Sequence, residues 1–277
     1  ETKGADAMVA SKHKFPNLDS LNIPDLKIVC VKDSPSETLA RVVMAHFNLD
    51  KVPDNPFLFK NTVDDVYKEY QQTKPTESKV FVLWEPLVSK ITENPEYHNL
   101  VNSSKFRGYI VDVIVARRGF LLQNQELGVD VVKSYLKSMY DSRNSFTQLV
   151  YEDAKMCGTT LRTEQAKNLV DQIWWKNTQE NFSHFGLTTS KGVQHLQEIN
   201  SNIMDVLLRT KAINEDISNN QPNFWYSEIV MRQLFDSSWH PGFAEESVRQ
   251  EKALTVLNDE QWHQLNPVGT LQVPRLV

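Results

Sequence analysis

Between residues 26 and 116, short apolar runs of strand length alternate with stretches whose apolar positions recur every three or four residues. Leu26–Val31 reads as a strand. Ser34-Pro35-Ser36-Glu37 then opens a helix to about Phe47, because Ser caps a helix start well and Pro is tolerated in the first turn. Pro56–Phe59 is a second strand. Val63, Val66, Tyr67 and Tyr70 mark one face of a helix that Lys74-Pro75 ends. Lys79–Trp84 is a third strand, followed by a short helix at Leu87–Ile91 and a turn at Asn94-Pro95. Asn99–Asn102 and the very apolar Tyr109–Ala116 complete the set. Strands separated by helical stretches predict βαβ units and a mostly parallel sheet.

From about Asp130 the period becomes helical throughout. Helices are predicted over Val131–Tyr140, Ser145–Cys157, Thr163 to Trp174-Trp175, about Lys191–Thr210, Asn223–Phe235 and Ser247–Leu257. A Pro- and Gly-punctuated tail follows Glu260-Gln261-Trp262, and it ends in a strand-like segment after Val268-Gly269. No solenoid repeat or low-complexity tract interrupts the chain. The opening Glu1-Thr2-Lys3-Gly4 has no initiator Met and no charged-then-apolar leader, so both ends read as cut.

Composition narrows the classes. With 277 residues, 40% hydrophobic and 23% charged, the chain has a globular profile and room for one large or two ordinary domains. A net charge of -5 supplies no basic field for nucleic acid. No apolar run approaches the roughly 20 residues of a membrane span. The two cysteines, Cys30 and Cys157, make neither a disulfide framework nor a zinc set, and Cys30 lies in a strand where a buried thiol is the default. His184, His195, His240 and His263 lack metal-ligand spacing, and no Walker loop, dinucleotide fingerprint or serine-nucleophile elbow is present. No metal, cofactor or catalytic set is therefore expected.

Candidate binding groups gather where strands end. Val80-Phe81-Val82-Leu83-Trp84-Glu85-Pro86 stops abruptly in an aromatic, a carboxylate and a proline. In open α/β sheets the crevice beyond the strand carboxyl ends is where ligands sit. Trp84 can wall a ligand and Glu85 can accept hydrogen bonds from it; core packing and helix capping are the competing roles. Ser34, Ser36 and Thr38 bring hydroxyls and free N–H groups to a helix start, which suits an anion or simple capping. Glu37 and Asp33 count against an anion there. Asp112, inside an apolar run, needs a strand end, hydrogen bonds or a cleft to offset the cost of its charge. Trp174-Trp175 and Trp225-Tyr226 read as packing pairs, and Arg117-Arg118 as a solvated pair.

These segments, in this order, resemble a known family. Asp25-Leu26-Lys27 through Val31 with Asp33-Ser34-Pro35-Ser36-Glu37-Thr38-Leu39-Ala40-Arg41 is similar to ABC-transporter solute-binding proteins of the nitrate/sulfonate/taurine type. So are Gly4-Ala5-Asp6-Ala7, Val82-Leu83-Trp84-Glu85-Pro86 and Ile110 through Arg118. Trp175 with Glu180 through Gly186, and Gln261 through Gly269, extend the likeness over most of the chain. The order and spacing resemble a subgroup in which the solute-binding region precedes an OmpA-like, peptidoglycan-binding domain.

The resemblance implies an α/β type II periplasmic clamshell with an incomplete first lobe and an α-rich C-terminal half. Residues 13–106 would form the second lobe, 1–12 and 107–240 a partial first lobe with a helical extension, and 241–277 a tail or linker. It implies a periplasmic or cell-envelope protein that captures a small polar or anionic solute by lobe closure, without catalysis. Ser34, Ser36, Thr38, Trp84, Glu85 and Asp112 would be the ligand contacts, and a membrane permease and the fused peptidoglycan-binding domain the partners. A truncated clamshell serving as a structural or protein-interaction module is the alternative. An enzyme of the thiamine-pyrimidine type would need a His and Cys set near the cleft, which the sequence does not show.

Overall fold

A computed structural model describes residues 1–214 and 228–241. In chain order its elements are β1 (Asp6–Ser11), β2 (Lys27–Val31), α1 (Pro35–His46), β3 (Phe57–Lys60), α2 (Val63–Gln72), β4 (Lys79–Trp84), α3 (Leu87–Thr92), β5 (Tyr97–Asn102), α4 (Arg118–Gln123), α5 (Gln125–Ser142), α6 (Phe146–Met156), α7 (Thr163–Asp171), α8 (Thr178–His184), α9 (Leu196–Arg209) and α10 (Ile229–Asp236). The described residues divide into two compact units. Residues 1–112, 150–174 and 199–214 form the first; residues 113–149, 175–198 and 228–241 form the second.

The first unit is built on a five-stranded sheet of order β3-β2-β4-β1-β5. The ladders β2–β3 and β2–β4 are parallel, whereas β1 runs antiparallel to both β4 and β5. The sheet is thus mostly parallel by strand direction, as expected, with one exception. That exception is β1, the run Asp-Ala-Met-Val-Ala-Ser, which lies inside the sheet and is buried along its whole length. Residues 13–106 supply the other four strands.

Strand alternation sorts the core into two layers. Met8, Ala10, Ile28, Cys30, Val80 and Val82 share a layer with Leu39, Ala40 and Val43 of α1. Ala7, Val9, Val29, Phe81 and Leu83 pack in the other, with Val66 of α2 and Val88 and Ile91 of α3. Burying each of the larger side chains contributes about 1.5–3 kcal/mol. Helix α1 forms where its pattern predicts. Ser34 is extended (φ -129, ψ 166) and its Oγ accepts from Glu37 N, Pro35 occupies the first turn, and Ser36, Leu39, Ala40 and Val43 make its buried stripe.

In the second unit every described element is helical. Val129 and Leu136 of α5, Phe182 of α8, and Val230, Met231 and Leu234 of α10 form its core. His240 is buried there, edge-on to Tyr140 with ring centroids 5.7 Å apart. Burial alone pushes its pKa down to about 4, so it is a neutral core histidine at neutral pH.

Three expectations are corrected. Tyr109–Ala116 forms no strand, because no described strand pairs with it; Val113, Ile114 and Val115 are 57%, 59% and 70% exposed. Asp112 consequently sits in an exposed, irregular segment and not inside a buried strand. The helix at Thr163 ends at Asp171, so Trp174 and Trp175 follow it without being part of it. Trp225-Tyr226, His263, the helix expected at Ser247–Leu257 and the tail lie outside the described residues, as does the first part of Asn223–Phe235.

Candidate functional site

Strand directions bring the candidate residues to one edge of the first unit's sheet. Because β2, β3, β4 and β5 point the same way and β1 points back, the ends of the four and the start of β1 coincide. That edge carries Val31, Lys60, Trp84, Asn102 and Asp6; Asp6 is directly opposite Trp84, and Ala7 opposite Asn102. Helix α1 also begins there, since it follows β2.

Ser34 and Thr38 are committed to the helix start. Ser34 Oγ donates to Val31 O (2.6 Å) and accepts from Glu37 N (3.4 Å), while Thr38 Oγ1 donates to Ser34 O (3.3 Å). Glu37 fills the field an anion would need. Its carboxylate accepts from Asp33 N (2.8 Å) and pairs with Arg41 at 2.6 Å, both side chains being nearly buried. Arg41 also donates to Thr210 O and lies 4.5 Å from the Phe57 ring centroid. The α1 N-terminus is therefore already neutralised by the chain itself.

Ser36 differs. It is fully buried, and its Oγ has no hydrogen-bond partner among the described residues. It begins the stripe that continues through Leu39, Ala40 and Val43, so it closes the α1-side layer at this edge. Asp6 does the same on the sheet side, in alternation with Met8 and Ala10. A residue only 2% exposed, Asp6 has its pKa pushed up to about 6, mainly by burial and further by the charge of Asp112, against a lowering by the Thr2 hydroxyl. Sequence reading included Asp6 in a resemblance without treating it as a site group. The signal was there: a lone carboxylate in the apolar run Ala-Asp-Ala-Met-Val-Ala, the same signal that selected Asp112.

Trp84 and Glu85 are half-buried at the end of β4, before a cis Glu85–Pro86 bond. Glu85 accepts from Ser89 N (3.0 Å) and Ser89 Oγ (2.9 Å), which fixes the first turn of α3. Beside β1, Gly4 N donates to Ser103 Oγ at 2.8 Å. Gly4 has φ +131, which a side chain rarely tolerates. Close by, Gln172 Oε1 is sealed from water without a hydrogen bond among the described residues. A polar atom left so costs about 1–3 kcal/mol.

The structure thus brings Ser34, Ser36, Thr38, Trp84 and Glu85 to one edge, and Asp112 acts on that edge through its charge on Asp6. The side chains offer hydroxyls, carboxyls and an aromatic ring, a set suited to hydrogen-bonding and stacking. Cys30 has its thiol pushed up to about 12 by burial and is no nucleophile. Among the described residues no group of three or more His, Cys, Asp or Glu could hold a metal. A concavity of about 330 Å³ between Lys60 and α2 is lined by none of the candidate residues. Its Lys60 is paired with Glu69 at 2.8 Å.

No protein-family model matches the chain, and no curated protein matches it in sequence. Among solved structures it is similar to the periplasmic aliphatic sulphonate binding protein SsuA from Escherichia coli, with a TM-score of 0.52 and 13% identity over 80% of this chain and 70% of that one. The chain's α/β fold is like that of this structure. At this identity the likeness speaks for the fold, and the polar edge described above is where such a fold can be tested for a ligand. Among the described residues no helix is long and apolar enough to cross a membrane.

Proposed function

We propose that this chain is the solute-binding component of an ABC-type uptake system, acting in the periplasm or cell envelope. It captures a small polar molecule at the carboxyl-end edge of the first unit's sheet, by lobe closure and without catalysis. The observation that carries this reading is the meeting of Asp6, Ser36, Trp84 and Glu85 at one edge of a sheet with this fold. Ser36 is a buried hydroxyl without a hydrogen-bond partner among the described residues, Asp6 is a buried carboxyl, and Trp84 stands opposite Asp6 across the β1–β4 ladder. Glu37 and Asp6 disfavour a simple anion and favour a ligand with hydrogen-bond donors. A membrane permease would receive the solute, and a fused peptidoglycan-binding domain would tether the protein, as the sequence resemblance implies. A thermal-shift titration of the chain with ethanesulfonate, sulfate and ethylenediamine tests the reading. A saturable rise with one of them supports it; no rise with any removes it.

One observation favours the second reading, a truncated clamshell used as an interaction module. Val113, Ile114 and Val115 are more than half exposed in a consecutive run. Exposed apolar surface of this kind marks contact sites for other chains.

A further inference from the structure

Residues 111–117 are the least satisfied stretch of backbone described. They form no helix, strand, turn or bend, and no backbone N–H or C=O from Val111 to Ala116 makes a hydrogen bond with any described residue. The flanking residues are held: Ile110 O accepts from Thr2 N at 3.1 Å, and Arg117 O accepts from Leu121 N at 3.0 Å. Between these anchors lies Val-Asp-Val-Ile-Val-Ala, rich in the β-branched residues that favour strands. In an extended chain Val113 and Val115 point to one side and Ile114 to the other. All three are exposed, so both sides are apolar, and the backbone between them is unpaired among the described residues. Such a segment is a template for pairing with another strand.

The charges choose the partner. Asp112 stands near the amino end of the segment, and Arg117 and Arg118 at its carboxyl end. Parallel pairing of two copies would set carboxylate beside carboxylate and guanidinium beside guanidinium. Antiparallel pairing sets the acidic end of each copy against the basic end of the other. A two-fold axis normal to the paired strands generates that arrangement, the symmetry of most homodimers. We propose that residues 111–117 of two copies pair as antiparallel strands and make this chain a weak homodimer. A two-stranded ribbon is marginal by itself in water, so the dimer forms and dissociates with concentration. The inference does not depend on whether the sheet edge holds a solute.

Sedimentation velocity over a concentration series tests it. The expected species are the 31.9 kDa chain and a dimer of twice that mass. Asp112→Lys makes the segment wholly basic, and Arg117→Glu with Arg118→Glu makes it wholly acidic. Each variant alone dimerises about tenfold more weakly or not at all, and an equimolar mixture of the two regains the dimer, because each then meets opposite charge. Ile114→Pro removes a strand donor from a stretch whose backbone makes no hydrogen bond among the described residues. It is expected to abolish the dimer and leave the melting profile unchanged. A wild-type chain that stays monomeric at all concentrations overturns the proposal. So does a dimer indifferent to the charge variants and to Ile114→Pro. Protection of the 111–117 amides from hydrogen exchange in a monomer would show another part of the chain covering the segment, and would overturn it as well.

Discussion

The first unit covers both faces of its sheet, and among its described residues Met156 is the one large apolar side chain that is prominently exposed. The second unit has a core of its own, yet Val113, Ile114, Val115, Phe120, Leu122, Leu127, Val131, Tyr135, Leu149 and Ile229 remain substantially in water. In α5 the difference is visible within one helix. Val129 and Leu136 are buried, whereas Leu127, Val131 and Tyr135, spaced four apart, form a second apolar stripe that stays exposed. A sheet closed on two faces supports itself; helices with two apolar stripes are built to meet more surface than they meet here.

The sharpest way to break this comparison is to truncate one side chain from each region. Phe81→Ala removes a fully buried ring from the α2/α3-side layer and should cost about 3–5 kcal/mol by denaturant unfolding. Val115→Ala, at 70% exposure, should change the stability of the monomer by less than about 0.5 kcal/mol. Comparable losses would mean that the 111–117 segment is packed after all.

Acid titration separates the units by sign. Asp6 in the first unit has a folded pKa raised from 3.8 to about 6, so the folded state holds the extra proton between those values. Its contribution to stability falls as pH rises through that window, by about 3 kcal/mol, and stays low above it. His240 in the second unit is lowered from 6.5 to about 4, so the unfolded state binds the extra proton. Its contribution is intact above about 6.5 and falls by about 3 kcal/mol as pH drops to 4. Asp6→Asn should therefore stabilise the protein at pH 8 and have no effect near pH 3. His240→Phe should lessen the loss of stability on acidification. Calorimetric melts of both variants from pH 3 to 8 check this. Parallel curves for a variant and the wild type would show that its group does not titrate differently on folding.

A smaller effect sharpens the view that the α1 start is structural. Ser34→Ala removes the cap on Glu37 N and should cost about 1 kcal/mol in a thermal or urea melt. No loss would free Ser34 from its capping duty and return it to the ligand.

Much of the first unit was legible because its signals are local. The caps, the apolar runs and the turn prolines placed β2, α1, β3, α2, β4, α3 and β5 within a few residues. The inner strand β1 was not read as one, although Ala7-Met8-Val9-Ala10 is apolar, because its antiparallel place between β4 and β5 is set by residues far along the chain. The same nonlocality misled at Tyr109–Ala116: composition says strand, but a strand exists only with a partner. At the candidate site, Ser34, Trp84 and Glu85 were singled out from strand ends and a cap, whereas the weight of Asp6 emerged only when burial and the nearby Asp112 charge were seen.

The most direct measurement is calorimetric titration of wild-type chain and Trp84→Ala with whichever of ethanesulfonate, sulfate or ethylenediamine raises the melting temperature most. If the sheet edge is the binding site, Trp84→Ala weakens binding by about tenfold or more while the fold is retained, as expected for a stacking contact worth over 1 kcal/mol. Unchanged affinity in a folded Trp84→Ala protein would contradict the account and place the ligand elsewhere.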